Sequence, residues 1–299
     1  MVLDFKPIEL SDKAWIDPLL RMGNFRGSVY TFSNNFIYRK LYHIEVARMN
    51  DYYLVRSGRD GQPRSYLFPS GSGDVKPVID ALSADAALRG EPLVMSGVTK
   101  ESVAALETLF PGRFTFEETR DHFDYIYESE KLITLSGKKL HSKRNFINRF
   151  QAEHEGGWSF EAITPENIAE CWSMNTRWCE QNGCGEDPSL MEELCAVRNC
   201  FENFLALGLR GGLLRVDGRV VAYTMGLPLN SDTFIVHIEK AFSDVAGAYP
   251  MINREFAAHN CADFKYVNRE DDVGDEGLRR AKLSYKPAIL LEKFIVTEQ

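Results

Sequence analysis

The sequence lacks three features that would assign it to familiar functional classes: a long apolar run, paired cysteine motifs and an apolar N-terminus. No apolar run approaches the roughly 20 residues that a membrane-spanning helix needs, and the opening MVLDFKPIELSDKAW carries acidic residues where a signal peptide would be apolar. The six cysteines all fall in the second half, with no C-x-x-C pair and no histidine at ligand spacing beside them. We therefore expect reduced thiols, no metal site, no membrane span and a cytoplasmic protein.

An excess of positive charge is also missing. The 299 residues carry 43 acidic and 35 basic side chains, a net charge of −8, so the surface as a whole should repel nucleic acid and anionic lipid. Any anion-binding site must therefore be local. The hydrophobic content of 44% is sufficient for a well-packed chain with room for two domains.

One segment reverses the acidic balance. Residues 131–152, KLITLSGKKLHSKRNFINRFQA, hold six basic residues and no acidic one. The segment is either a solvated helix with a buried apolar side or an electrostatic platform for a phosphate-bearing substrate. The apolar side would consist of Leu140, Phe146, Ile147 and Phe150.

The predicted order of elements occurs twice along the chain. Each half reads as a strand, two helices, three antiparallel strands, a helix, a strand, a helix and a closing strand. In the second half, Asp217 and Gly218 separate two β-branched runs, which is typical of a tight hairpin turn. The sequence predicts an α/β protein with mixed sheets: a first unit at 1–130, a basic linker helix at 131–154 and a second unit at 155–299.

This order is that of the GNAT acyltransferase fold, so we expect two GNAT-like units in tandem. VNREDDVGDEGLRRAKLSYKP and LSGKKLHSKRNFINRF resemble a bacterial family similar to the C-terminal domain of phosphatidylglycerol lysyltransferases. The resemblance spans nearly the whole chain, with a more distant likeness to Fem-type peptidyltransferases. It implies transfer of an aminoacyl group from charged tRNA to an amine or hydroxyl. The lysine, aromatic and proline found near the C-terminus of lipid-modifying members match Lys282, Tyr285 and Pro287, although membrane segments are missing here.

A charged loop follows the predicted strand FKYVN, at the carboxyl end of a sheet strand, where open α/β sheets tend to form their sites. Part of this charge complements the dipole of the next helix, and that role alone is one interpretation. Five polar side chains at 268–272 exceed that need, which favours a site for a cationic or hydrogen-bonding acceptor. The residues predicted to bind the acceptor are Asn268, Glu270, Asp271, Arg279 and Lys282.

Acyl transfer needs a deprotonated acceptor, a stabilised oxyanion and a protonated leaving group. On the strand TFIVHIEKAF, His237 and Glu239 share one face, and either could take the acceptor's proton. Tyr285 is the predicted proton donor, because the likeness to GNAT enzymes implies a phenol on the last helix with an alanine one turn earlier, as Ala281 is here. Core packing beside Pro287 is the alternative role for this tyrosine.

The donor is predicted to bind at the start of another helix. In SDVAGAYPMI, Gly247 allows close approach of the backbone, and free amides there could hold a phosphate of coenzyme A or of a tRNA end. A helix start without a ligand is the alternative. The residues predicted to contact the donor are Gly247, Ala248, Tyr249, Lys143 and Arg144. We expect no tightly bound cofactor, with acyl-CoA or aminoacyl-tRNA as a co-substrate.

The two halves differ in their chemistry. The first has Phe110 at the place of Tyr285 and no counterpart of the charged loop, and a phenylalanine cannot donate a proton. The sequence therefore predicts an acyl or aminoacyl transferase with one site, in the second unit. Its acceptor would be a small molecule or peptide, and tRNA is a possible partner. The alternative is an inactive tandem GNAT protein that binds an amino-acid-like ligand or a protein partner.

Overall fold

A computed structural model describes residues 2–299 and divides them into two compact units. The first unit contains the chain up to Asp124, together with Asp271–Glu276 and Leu290–Gln299. The second contains Tyr125–Glu270 and Gly277–Ile289. Each unit has a mixed sheet and its own helices.

The helices are α1 (Lys13–Gly23), α2 (Phe32–Ile37), α3 (Lys76–Ala87), α4 (Lys100–Leu109), α5 (Ser129–Thr134), α6 (His141–Glu153), α7 (Ile168–Asn182), α8 (Pro188–Glu202), α9 (Phe204–Leu207), α10 (Ala248–Asn260) and α11 (Glu276–Ser284). The strands are β1 (Lys6–Pro7), β2 (Glu45–Met49), β3 (Tyr52–Ser57), β4 (Ser65–Leu67), β5 (Ser70–Gly71), β6 (Val94–Thr99), β7 (Phe114–Glu118), β8 (Asp124–Glu128), β9 (Trp158–Ala162), β10 (Arg210–Val216), β11 (Arg219–Pro228), β12 (Thr233–Ala241), β13 (Tyr266–Asn268), β14 (Ile289–Leu291) and β15 (Lys293–Glu298).

The sheet of the first unit has the order β1-β2-β3-β4-β6-β15-β7, with β5 paired to β3. The pairs are antiparallel except β4 with β6, which is parallel. Leu82 of α3 and Leu106 of α4 are fully buried in one apolar cluster with Tyr66 and Met95 of the sheet. The apolar faces of these helices therefore supply the core that covers the parallel pair.

The sheet of the second unit has the order β14-β8-β13-β12-β11-β10-β9. The hairpin between β10 and β11 turns at Asp217 and Gly218, with φ of 48° and 77°. Positive φ at both positions is what the aspartate-glycine pair favours, so the predicted turn is confirmed. Here too β12 and β13 form a parallel pair.

Two strands join the sheet opposite to the one predicted. The sequence predicts that β8 closes the first unit and β15 closes the second. In the structure, β8 lies between β14 and β13 of the second sheet, and β15 lies between β6 and β7 of the first. An alternating pattern identifies a strand and its buried face, but the partner strand is fixed by long-range pairing, which the pattern does not encode.

The basic segment belongs to the second unit and is not a single linker helix as predicted. It consists of the end of α5, a 3-10 turn at 138–140, and α6. Ile147 and Phe150 are buried as expected, but Phe146 is 48% exposed, so its predicted burial is wrong. Arg144 donates to the carbonyls of Leu135 and Gly137, which ties α6 to the end of α5.

A disulfide contradicts the expectation of reduced thiols. Cys179 and Cys184 are bonded at the end of α7. Gly183 adopts a left-handed conformation there, which turns the chain back and leaves the two Cα atoms 5.0 Å apart, a separation that a disulfide spans. The free cysteines are Cys171, Cys195, Cys200 and Cys261.

A buried ion pair fastens the C-terminal strand within the first unit. The Lys293 ammonium of β15 donates to Asp124 Oδ1 at 2.6 Å and to Ser28 Oγ at 3.1 Å. The backbone N–H of Ser28 donates to the other carboxylate oxygen at 2.7 Å. Because the two charged side chains are 3% and 0% exposed, each charge depends on the other for its stabilisation.

Removing the Lys293 charge should strongly destabilise the protein. We expect Lys293→Met to lower the free energy of unfolding by about 3–5 kcal/mol, because Asp124 would remain buried without its cation. Urea unfolding measures this loss. Lys100→Met is the matched control, since its ammonium is 72% exposed and pairs with Glu292 at 3.2 Å; it should cost less than about 1 kcal/mol. Equal losses in both variants would show that burial of the pair is unimportant.

Candidate functional site

The second unit opens between two parallel strands. Hydrogen-bonded pairing of β12 with β13 covers three positions and ends at Ile235 and Asn268. Strand β12 continues to Ala241, whereas the chain leaves β13 as the charged loop. Beyond Ile235, β12 is no longer paired with β13. Its side chains there lie next to the start of the loop, at the carboxyl ends of both strands.

A β-bulge in β12 orients His237. Met225 pairs with Ile238 and Gly226 with Val236, so His237 is the extra residue between them. The bulge needs glycine opposite it, because a Cβ on Gly226 would lie 2.1 Å from the carbonyl oxygen of Ile235.

The imidazole of His237 is held by the charged loop. Its side chain is 1% exposed, and Nδ1 lies 2.6 Å from Glu270 Oε1. Glu270 itself has a φ of 58°, and its backbone N–H donates to the side chain of Asn268 at 2.7 Å. Asn268 is fully buried, so its contact shapes the turn that aims Glu270 at the imidazole. The structure thus brings together three of the predicted site residues.

Glu239 is at the centre of the polar contacts in the opening. Its Oε1 accepts from Arg269 Nη2 at 2.7 Å, and its Oε2 accepts from Asn253 Nδ2 of α10 at 3.0 Å. The side chains of Glu239 and Arg269 are 11% and 12% exposed. Burial lowers the pKa of Arg269, but the charge and hydrogen bond of Glu239 together with Tyr127 and Tyr285 outweigh it. The net effect is a raised pKa, so the guanidinium stays charged.

Two polar atoms beside Glu239 lack a partner within the described residues. One is Arg269 Nη1, a donor, and the other is Asn253 Oδ1, an acceptor; both are buried. Unpaired buried polar atoms cost free energy, so in native proteins they usually bind water or a ligand. The pair could hold a ligand that offers an oxygen to Arg269 and an N–H to Asn253.

Tyr285 lies between two cations. The Lys143 ammonium of α6 lies 4.2 Å from the centre of its ring, and the Arg269 guanidinium carbon lies 5.0 Å from it. Burial raises the pKa of Tyr285, and the charge of Arg269 opposes the shift only partly, so the phenol remains protonated at neutral pH. Lys143, which the sequence predicts to contact the donor, thereby lies near Tyr285 and Glu239, two of the three predicted catalytic residues.

Lys282 supports the loop backbone. It is 8% exposed, and its ammonium donates to the carbonyl oxygen of Arg269 at 2.6 Å. Tyr127 of β8 donates its hydroxyl to the carbonyl oxygen of Lys282 at 2.8 Å and packs edge-on against Tyr285. These contacts give Lys282 a positioning role, which the predicted contact with an acceptor did not include.

Asp271 does not belong to the same unit as the other predicted site residues. It is assigned to the first unit, where His122 Nδ1 lies 3.2 Å from its Oδ2, and the adjacent Asp272 pairs with Arg120 in the same unit. The charged loop thus contributes residues to both units, which its sequence does not reveal. Arg279 is half-buried on α11.

Close packing between two helices explains why position 247 is a glycine. A Cβ there would lie 2.4 Å from the carbonyl oxygen of Phe146, so only glycine lets α10 begin this close to α6. Ala248 is buried and Tyr249 is 36% exposed. The contact of these three residues with a donor phosphate stays a prediction.

The corresponding place in the first unit is apolar. Strands β4 and β6 pair in parallel only at Tyr66 and Leu67, as β12 and β13 do over a short stretch. Beyond them, Phe25 stacks on Tyr30 at 4.3 Å and packs edge-on against Phe68. Aromatic rings therefore occupy this part of the first unit, and Phe110 is buried in its core.

The sequence prediction gave no role to two residues at the opening, Arg269 and Asn253. Arg269 is one of the five polar residues at 268–272. Its position close to the end of a predicted strand is the signal that could have identified it as a site residue. Asn253 lies between the buried Ile252 and Phe256 on α10, and a polar residue on an apolar helix face is the corresponding signal. Within residues 2–299, no three histidine, cysteine or acidic side chains cluster closely enough to hold a metal ion.

Comparison with known proteins identifies the relatives of this chain. A family model described as "Phosphatidylglycerol lysyltransferase, C-terminal" matches residues 21–297. A conserved protein of unknown function from Bacteroides thetaiotaomicron is 40% identical, and the match covers 100% of both chains with a TM-score of 0.96. The predicted resemblance to this family is confirmed, whereas the Fem-type likeness stays a prediction.

More distant structures share the fold. L-PGS from Bacillus licheniformis matches at 16% identity over 98% of this chain and 92% of its own, with a TM-score of 0.67. A tandem GNAT protein from the clavulanic acid biosynthesis pathway matches at 11% identity over 99% and 98%, with a TM-score of 0.50. These matches confirm the predicted fold of two GNAT-like units.

A curated relative is only partly matched. The chain spans about half the length, 55%, of an uncharacterized protein of Mycoplasmoides gallisepticum, to which it is 26% identical over 177 residues, 58% of the chain. In residues 2–299, no helix combines the length and apolar character required to cross a membrane.

The His122 pair should make stability depend on pH. Its contact with Asp271 raises the pKa of His122 above 6.5, so the pair's contribution to stability is complete below pH 6.5 and is lost as the pH rises through the raised value. We expect His122→Gln to lower the unfolding temperature more at pH 5.5 than at pH 8.5. Thermal unfolding across this range measures the difference, and a constant difference would mean that the pair does not titrate.

Proposed function

Because the chain belongs to the family of phosphatidylglycerol lysyltransferase C-terminal domains, we propose that its second unit transfers an aminoacyl group from charged tRNA to an amine or hydroxyl acceptor. The observation that carries the proposal is the group of Glu239, Arg269, Tyr285 and Lys143 at the opening of β12 and β13. Family membership supports acyl transfer in general, and this cluster supports the location. Charged tRNA is cytoplasmic, so the proposal includes a cytoplasmic location.

The unpaired atoms favour an aminoacyl group over a plain acyl group. The carbonyl oxygen of an aminoacyl ester can accept from Arg269 Nη1, and its α-amino group can donate to Asn253 Oδ1. An acetyl group has no N–H to offer the asparagine. The packing of Gly247 against α6 also reduces the space that a coenzyme A pyrophosphate would need at the start of α10.

Each side chain has a defined part in the proposed reaction. Arg269 Nη1 stabilises the negative charge that develops on the carbonyl oxygen, and Glu239 holds the guanidinium in place. Tyr285 gives its proton to the ribose oxygen that leaves. The exposed lysines of the basic segment bind tRNA phosphates by charge.

A direct transfer assay tests the proposal. The whole protein is incubated with bulk tRNA carrying radiolabelled amino acids, or with labelled acetyl-CoA. Phosphatidylglycerol vesicles, a polyamine or a short peptide serve as acceptors in separate arms. We expect label to move from tRNA to one acceptor faster than in a reaction without protein. Transfer from acetyl-CoA but not from charged tRNA would show that the donor is an acyl-CoA. Thermal stabilisation by a ligand without turnover would favour the alternative of an inactive binding protein.

Tyr285→Phe should separate folding from catalysis. The ring keeps its packing, so we expect the free energy of unfolding to change by no more than about 1 kcal/mol. Turnover should fall by roughly 100-fold to 10,000-fold, the range for a lost general acid. The assay above and urea unfolding measure the two effects.

Two further variants test the division between the units. Tyr127→Phe removes a neighbouring buried hydroxyl that contacts only the Lys282 carbonyl, and it should reduce turnover far less than Tyr285→Phe. Phe110→Tyr adds a phenol to the first unit and should create no second activity. Full activity in Tyr285→Phe would show that Tyr285 contributes only packing and is not the proton donor.

Loss of two exposed lysines should change the salt dependence of tRNA binding. Lys138 and Lys139 are exposed in the 3-10 turn before α6. We expect Lys138→Gln with Lys139→Gln to weaken binding of charged tRNA and to reduce the slope of log affinity against log salt. The control, Arg219→Gln with Lys265→Gln, removes the same charge elsewhere in the second unit. Equal effects of both pairs would indicate that net charge alone matters.

A further inference from the structure

Lys143 has no hydrogen bond or ion pair within the described residues, unlike Glu239, Arg269 and His237. Its ammonium contacts the ring of Tyr285, and the side chain is half-buried. An amine that makes no such bond loses none when it gives up its proton. Lys143 is therefore free to exist in either protonation state.

The two proton acceptors predicted from the sequence, Glu239 and His237, are both held by other side chains. Glu239 accepts hydrogen bonds from Arg269 and Asn253, so each of its carboxylate oxygens already has a partner. His237 is 1% exposed and is held by Glu270. A general base must come within hydrogen-bond distance of the substrate that loses the proton. A side chain that is buried or hydrogen-bonded to other residues reaches that position poorly.

The surroundings of Lys143 lower its pKa. Burial lowers the pKa of Lys143, the positive charge of Arg269 lowers it further, and Glu239 opposes the shift without reversing it. The remaining ionisable group against it is the Tyr285 phenol. On α10, which packs against α6, Arg254 and Glu255 pair with each other.

We infer that Lys143 is the proton acceptor of the transfer reaction, an inference that rests on the proposed function. The neutral amine takes one proton from the acceptor's hydroxyl or amine as that oxygen or nitrogen bonds to the acyl carbon. The bond from the acyl carbon to the ribose oxygen breaks, and this oxygen takes the proton of Tyr285. The Lys143 ammonium then returns its proton to the Tyr285 phenolate. No proton is gained or lost overall, and both side chains are restored.

Chemical labelling of the free protein tests the protonation of Lys143 without any substrate. The protein is treated with trace acetic anhydride at a series of pH values, together with a lysine-containing reference peptide, and acetylation of Lys143 is quantified by mass spectrometry. Because only the neutral amine reacts, we expect Lys143 to reach half of its maximal reactivity at a lower pH than the reference. An equal or higher pH would overturn the inference, whatever the activity of the protein.

Kinetics test the role itself. Lys143→Arg places a permanent positive charge at this position and cannot accept a proton near neutral pH. We expect kcat/KM to fall at least 100-fold and its rise with pH, present in the unchanged protein, to disappear. Lys265→Arg, an exposed position outside the site, is the control and should change neither.

The outcomes separate the two proposals. Transfer activity with an unchanged rate and pH profile in Lys143→Arg would overturn the role of Lys143 alone. Absence of transfer in the unchanged protein with every donor would overturn the proposed function, and the role of Lys143 with it. Unfolding temperatures of both arginine variants identify any loss of activity that comes from misfolding.

Discussion

The geometry of the candidate site depends on one buried charge, the guanidinium of Arg269. Removing such a group from water costs several kcal/mol even after the protein relaxes. Glu239 offsets part of this cost through a 2.7 Å contact. The rings of Tyr285 and Tyr127 also lie near the guanidinium. Arg269 Nη1 has no partner among the described residues, so the guanidinium is held in place by Glu239 and still has one N–H to donate.

The exchange of closing strands contributes to this site. Strand β8, which the sequence places at the end of the first half, brings Tyr127 into the second sheet. Tyr127 there holds the carbonyl oxygen of Lys282, whose ammonium in turn holds the carbonyl oxygen of Arg269. A residue from the first half of the sequence thereby helps to position the Arg269 guanidinium.

Local patterns predicted most of the elements and part of the site. The aspartate-glycine turn, the strand that carries His237 and Glu239, and the helix before Tyr285 follow from periodicity and turn chemistry. Sheet membership of β8 and β15 did not, because strand partners far apart in the chain are chosen by pairing and core packing. The same limit applies to Asp271, whose histidine partner lies 149 positions away.

The two units differ in the side chains beside their parallel pairs of strands. Protein interiors are close-packed, so side chains fill the space beside a short parallel pair of strands. In the first unit Phe25, Tyr30 and Phe68 pack against one another there. In the second unit ionisable side chains take that place at a cost in desolvation. Lys293 and Asp124 are also buried in the first unit, but they pair with each other, whereas Arg269 in the second unit keeps one N–H without a partner among the described residues. Buried ionisable groups whose bonding is incomplete are typical of functional sites.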